Sequence, residues 1–171
     1  MRCIGMFCIM GAAILTGREL EQRLKRHWMV LVEIAGGLTL LEKEMLCHRS
    51  SLAEALQTVA KRCQTETGQL LMSAKCGISS AGEQPFPVIW AQAAKESGLA
   101  GLLTEAEYAE LLALSSVLCS ADLLQQRVLF QRYEEQFQGM SRSAQEQYRE
   151  QGALYRKLSA AAGIFLVLFL I

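Results

Sequence analysis

Proline occurs only twice in this chain, at Pro85 and Pro87. Inside a helix a proline removes a backbone donor and collides with the preceding turn. The rest of the 171 residues therefore forms two long stretches free to be helical. Within them apolar residues recur every three or four positions, and no strand-like alternation of useful length appears. This period predicts an all-α protein: a helical bundle of about six helices, with a long C-terminal helix and hydrophobic membrane segments at both termini.

From Gly17 to Cys47 the stripe Leu20, Leu24, Trp28, Leu31, Ile34, Leu38, Leu41 and Met45 marks one face of one helix. Gly36 and Gly37 interrupt it, at about 1 kcal/mol each, and predict a kink or a close helix crossing. Ser50 and Ser51 stop this helix, and Ser51-Leu-Ala-Glu54 has the form of a capping box for the next. Its buried face is expected to be Leu52, Ala55, Leu56, Val59 and Ala60. A third helix is predicted over Thr67–Lys75, closing at Gly77. After the loop Ser79–Gln84, Pro87 suits the first turn of a helix that runs Val88–Glu96 and ends at Gly98. Thr104-Glu-Ala-Glu107 is a second capping box, opening Tyr108–Cys119, and Ser120 caps the last helix. There Leu123, Phe130, Phe137, Ala144, Gln151 and Leu158 recur every seven residues, with Tyr133, Met140 and Leu154 at a second seam position. The seam is coiled-coil-like and imperfect at Gln126, Gln147 and Gln151.

Hydrophobic residues make up 51% of the chain, and mean hydropathy is +0.20. Much of the excess lies in two runs, Cys3–Thr16 and Ser159–Ile171. Arg18, Arg23, Lys25 and Arg26 follow the first; Arg156 and Lys157 precede the second. Cations beside a membrane segment stay on the cytoplasmic face, so both flanks place the middle of the chain in the cytoplasm. The expected division is a membrane segment and basic flank at 1–20, a cytoplasmic helical bundle at 21–157 and a second membrane segment at 158–171. Neither run reaches the roughly 20 residues a spanning helix wants. The competing reading is an exported helical binding protein with a cleaved signal peptide and a C-terminal anchor. Ala160 and Gly163 form a small-xxx-small pair that would let another helix approach.

The net charge of zero leaves no electrostatic footprint for nucleic acid. Six cysteines contain no Cys-x-x-Cys, so metal-ligand spacing is absent, and neither metal nor cofactor is expected. There is no phosphate-cradling loop and no His-Glu-x-x-His. His27 sits in a basic flank, and His48 lies at a helix end where a cation suits the dipole. Glu42 and Glu44 are two residues apart and so face different directions. With no credible active site, the chain reads as a non-enzymatic platform gripped by a partner. Candidate contacts are the charged and polar residues near element ends: Glu42, Glu44, Arg49, Glu54, Asp122 and Gln126. Homo-oligomerisation is left open.

These residues also carry a resemblance. Leu41-Glu-Lys-Glu-Met45, Ser51-Leu-Ala-Glu-Ala55, Trp90, Leu118-Cys-Ser-Ala-Asp122 followed by Gln125 or Gln126, and the ending Lys157-Leu-Ser159-Ala-Ala-Ala-Gly163 resemble, in order and spacing, motifs of the stage III sporulation protein AB family. The resemblance covers nearly the whole chain. Ser51 stands where the family has proline, and Cys119 and Ser159 where it has glycine. The resemblance implies a helical bundle like the cytoplasmic domain of type II secretion and type IV pilus inner-membrane platform proteins. It further implies a place in the mother-cell membrane, in a secretion-like complex between mother cell and forespore. The implied partners are a cytoplasmic secretion-type ATPase of the same system and other membrane components of that complex.

Overall fold

The computed structural model describes residues 2–80, 84–119 and 123–170, without the side chains of 2–14, 16, 123, 153, 155–157, 159–160 and 162–170. Among the described residues six α-helices follow one another: α1 (Arg2–Glu42), α2 (Leu52–Ala60), α3 (Glu66–Ser80), α4 (Phe86–Glu96), α5 (Glu105–Leu118) and α6 (Leu123–Leu170). A π-helical turn, Lys43–Cys47, extends α1, and a 3-10 turn, Leu99–Gly101, links α4 to α5. The chain divides into two compact units, Met29–Ser141 and Met1–Trp28 with Arg142–Ile171.

In the Met29–Ser141 unit, α2 packs on α3, α3 on α4 and α4 on α5. The predicted stripe of α1 is buried from Leu31 through Ile34, Leu38 and Leu41. It converges with Leu70 and Leu71 of α3, Trp90 of α4, and Leu111 and Leu114 of α5 around a void of only about 20 Å³. Trp90 is 2% exposed, and its indole N–H donates to the Leu111 carbonyl at 2.8 Å. A buried indole thus keeps a partner and ties α4 to α5. The predicted face of α2 is also buried at Ala55, Leu56, Val59 and Ala60, and Phe130 and Phe137 of α6 are fully enclosed.

Both capping boxes form. Glu54 N–H donates to Ser51 Oγ at 3.4 Å while Ser51 N–H donates to the Glu54 carboxylate at 3.0 Å. Glu107 N–H donates to Thr104 Oγ1 at 3.3 Å and Thr104 N–H to the Glu107 carboxylate at 2.8 Å. Pro87 occupies the first turn of α4. Gly98 follows that helix with φ +78°, a left-handed conformation that glycine adopts without strain.

The elements depart from expectation at four places. Helix α1 runs through Gly36 and Gly37 without a break, and neither glycine is forced by a close crossing: an added Cβ at Gly37 would stand in ordinary contact with Val59 of α2 at 3.6 Å. Helix α3 continues past Gly77 to Ser80, and a Cβ at Gly77 would collide with Ile89 Cγ2 of α4. That glycine serves a helix crossing rather than a terminus. The seven-residue seam of α6 is buried at Phe130, Phe137 and Ala144, whereas Leu154 and Leu158 are exposed. Ser120, expected to cap α6, lies outside the described residues.

The fourth departure concerns the termini. Helices α1 and α6 extend into both apolar runs, but among the described residues no helix is long and apolar enough to cross a membrane. The spanning segments expected at 1–20 and 158–171 are thus not supported. Each apolar run is short and closes on cations, Arg18 on one side and Lys157 on the other. Most side chains of both runs lie outside the described set.

The Met1–Trp28 and Arg142–Ile171 unit pairs α1 with α6. Trp28 stacks on Tyr148 with ring centroids 5.8 Å apart and planes 12° apart. Gly152 is buried, and a Cβ there would meet the Glu21 stem and the Tyr148 ring at 3.5 Å.

Candidate docking surface

Four of the six expected contact residues, Glu42, Glu44, Arg49 and Glu54, lie where α1 ends and α2 begins, but they do not share one role. Glu42, in the last turn of α1, pairs with Arg127 Nε of α6 at 3.7 Å. One turn earlier Thr39 Oγ1 donates to Glu134 of α6 at 2.8 Å, and Gln138 Nε2 donates to the same oxygen at 3.0 Å. Position 39 meets 134 and position 42 meets 127, so α1 and α6 run antiparallel in this unit. Glu42 is only 18% exposed, and its carboxylate belongs to this internal rung.

Glu44 is drawn inward as well. It sits in the π-helical turn, a local unwinding common at functional sites. Its carboxylate faces His48 Nδ1 at 3.2 Å and accepts from Ser50 Oγ at 3.4 Å, while its carbonyl accepts from Ser50 N–H at 3.1 Å. Glu44 therefore closes the α1–α2 turn. Glu42 and Glu44 engage different partners, as expected of residues two apart.

Arg49 and Glu54 are exposed. Arg49 has φ +54°, a left-handed conformation that costs a non-glycine residue on the order of 1 kcal/mol. The hydrogen bonds from Ser51 hold the Glu54 carboxyl below the usual carboxylate range. Gln126 is not a surface residue: it is 3% exposed, and its Nε2 donates to the Val117 carbonyl at 3.2 Å. Its contact role is corrected to an internal one, because a buried amide must find an acceptor. Asp122 lies outside the described residues.

Three contributions escape the sequence reading. Leu124 and Val128, one turn apart on α6, are 79% and 64% exposed. They flank Arg127, which touches the end of α1, so the outer face of early α6 adds an apolar edge to the charged α1–α2 turn. A periodic stripe marks the buried face of a helix and so passes over apolar residues that point outward. A third is Glu33 of α1. Its carboxylate accepts from the backbone N–H of Gln64 at 2.6 Å and of Thr65 at 3.0 Å, and from the Thr65 hydroxyl. Glu33 thereby holds the turn that precedes α3, while Thr65 Oγ1 caps the helix locally by accepting from Thr67 N–H at 3.3 Å. Cys63, half-buried in the same loop, has its thiol pushed up to about 11 by burial and by the Glu33 charge. Among the described residues no group of His, Cys, Asp and Glu could hold a metal ion. The surface offers charge, one apolar edge and a strained turn, features suited to gripping a protein partner.

A family model described as stage III sporulation protein AB matches residues 2–171. A solved structure titled stage III sporulation protein AB is similar with a TM-score of 0.60 at 18% identity, over 68% of this chain and 91% of that one. No curated protein matches the chain.

Proposed function

The chain belongs to the stage III sporulation protein AB family, and from that premise we propose that it is a non-catalytic platform of a secretion-like complex between mother cell and forespore. The observation that carries this is the extent of the family match, residues 2–171, both apolar runs included. The platform docks the cytoplasmic secretion-type ATPase of the same system on the α1–α2 turn and the outer face of early α6. Arg49 and Glu54 supply charge there, and Leu124 and Val128 supply desolvation. The α1–α6 pair, clamped by the Glu42–Arg127 and Thr39–Glu134 rungs, passes the partner's motion along two helices that continue into the apolar ends. Those ends associate with the mother-cell membrane, where other components of the complex meet them, and the helices between stay cytoplasmic.

The test is capture of the ATPase by the purified full chain. Val128→Asp and Arg49→Glu are expected to weaken it at least tenfold, since a charge buried in an interface costs on the order of 2 kcal/mol or more. Unchanged capture by both variants, or no capture by the parent chain, refutes the docking surface. Reporter fusions at Ser80 and Ile171 test the location. A Ser80 reporter found outside the cytoplasm favours the exported binding protein with a cleaved leader instead.

A further inference from the structure

In the unit formed by Met1–Trp28 and Arg142–Ile171, α1 and α6 enclose an open groove of about 310 Å³, lined by Arg18, Glu21, Gln22, Lys25 and Tyr148. Positions 18, 22 and 25 recur at helical spacing and so present one face of α1. Arg18 and Lys25 are exposed, and neither makes an ion pair among the described residues, whereas nearby Arg23 is matched with Glu19 at 3.9 Å. Among the described residues Glu21 is the one carboxylate on the groove, its stem packed over Gly152 of α6. The groove thus holds two cations, an amide and a phenol around a single acid, a donor-rich set suited to a phosphate. The larger groove between α3 and α4, about 470 Å³, carries Glu96, Gln92 and Ser73 and no cation, so it does not compete for an anion.

The groove's place along the chain selects the source of that phosphate. Arg18 follows the apolar run 3–16 directly, and the stacked Trp28–Tyr148 pair stands on the other side of Lys25. Cations and amphipathic aromatic rings beside an apolar run are the residues met on leaving the hydrocarbon layer through the headgroups. We propose that this groove binds the phosphate of an anionic lipid headgroup, with Arg18 and Lys25 as its ligands. The site deepens the membrane-associated reading above and rests on it.

Vesicle flotation of the full chain tests both, with phosphatidylglycerol mixed into phosphatidylcholine or phosphatidylcholine alone. The parent chain is expected to partition more strongly onto the anionic vesicles. Arg18→Gln with Lys25→Gln should lose about 25-fold of that partitioning, taking about fivefold per cation at an anionic surface, and none on the neutral ones. Lys61→Gln with Arg62→Gln, which removes two exposed charges from the other unit, should change neither. Equal loss in the two double variants means diffuse attraction and overturns the site. Equal flotation on both vesicle types overturns it while leaving membrane association standing; no flotation on either removes the membrane reading itself. The headgroup proposal also fails, in favour of a soluble ligand, if inorganic phosphate binds the parent chain in calorimetry, the Arg18/Lys25 variant abolishes that binding, and vesicle partitioning ignores lipid charge.

Discussion

Replacing Glu33 by alanine removes the carboxylate that holds Gln64 and Thr65, the turn leading into a helix that begins 33 residues further along the chain. Two backbone donors lose a carboxylate acceptor at 2.6 and 3.0 Å, and the Thr65 hydroxyl loses its acceptor as well. A hydrogen bond to a charged group contributes about 1.5–3 kcal/mol, and a lost N-terminal cap costs about 0.5–2 kcal/mol. Gln64 is exposed and Thr65 only half-buried, so water restores part of the loss. The expected net cost is therefore about 2–3 kcal/mol. In a chain of this size that lowers Tm by about 4–12 °C. Glu33→Gln keeps one acceptor oxygen and should cost about half as much. Chemical denaturation gives the global number, and native-state hydrogen exchange gives the local one: the Gln64 and Thr65 amides should lose protection ahead of global unfolding. Glu96→Gln, a surface change elsewhere, should stay within about 0.5 kcal/mol. If Glu33→Ala also stays within about 0.5 kcal/mol and leaves both amides protected, the carboxylate does not hold the turn before α3, and the Thr65 cap suffices.

Gly77→Ala should cost about 1–3 kcal/mol by overpacking against Ile89. Combining it with Ile89→Ala should give a double-mutant cycle with a clear coupling energy, and an additive pair would refute the close crossing. The raised Cys63 pKa, from an ordinary 9.0 to about 11, means the folded chain holds that proton more tightly than the unfolded one. Its contribution to stability is complete below pH 9 and disappears as pH rises from about 9 to about 11. Cys63→Ala should flatten this alkaline limb, and alkylation of Cys63 should stay slow at pH 8. The Glu54 carboxyl gives the opposite sign: its lowered pKa adds stability above the ordinary carboxylate range that is lost on acidification. Glu54→Gln should shrink that acid limb in a stability titration; an unchanged limb refutes the Ser51 contribution.

Local signals in the sequence locate most of this fold. Both capping boxes need only residues three apart, and Ser51/Glu54 and Thr104/Glu107 form as the spacing requires. The stripe on α1 and the Phe130–Phe137 seam work because burial selects one helical face, which a period of three to four or of seven exposes. What stayed hidden depends on partners distant in sequence. Gly77 reads as a helix stop until Ile89 is seen against it. Glu42 and Gln126 read as surface groups until Arg127 and the Val117 carbonyl are seen beside them. Of the six expected docking residues, Arg49 and Glu54 stand exposed at the α1–α2 turn, and nothing local in the sequence separates them from Glu42 or Glu44.

Gln126 and Glu33 together show how the long helices support the ends of short ones in this bundle. Helix α5 stops at Cys119, where the family resemblance leads one to expect glycine. The backbone there has φ −96° and ψ 0°, which is not left-handed, so no glycine is required. The buried Gln126 amide serves one carbonyl of the last turn of α5, at Val117. Glu33 does the corresponding work for the free amides before α3. In each case a long helix lends a polar side chain to the end of a short one, and the acid goes to an N-terminus and the neutral donor to a C-terminus, as the backbone dipoles demand. Position 126 separates capping from simple packing. Alanine there strands a buried acceptor at about 1–3 kcal/mol, whereas Gln126→Glu is nearly isosteric yet turns an acceptor and a negative charge toward the Val117 carbonyl. Glutamate should therefore be the more damaging of the two near neutral pH, and the gap should narrow as acid protonates it into a donor. If glutamate proves milder than alanine in denaturant titrations at neutral pH, Gln126 fills space rather than capping α5.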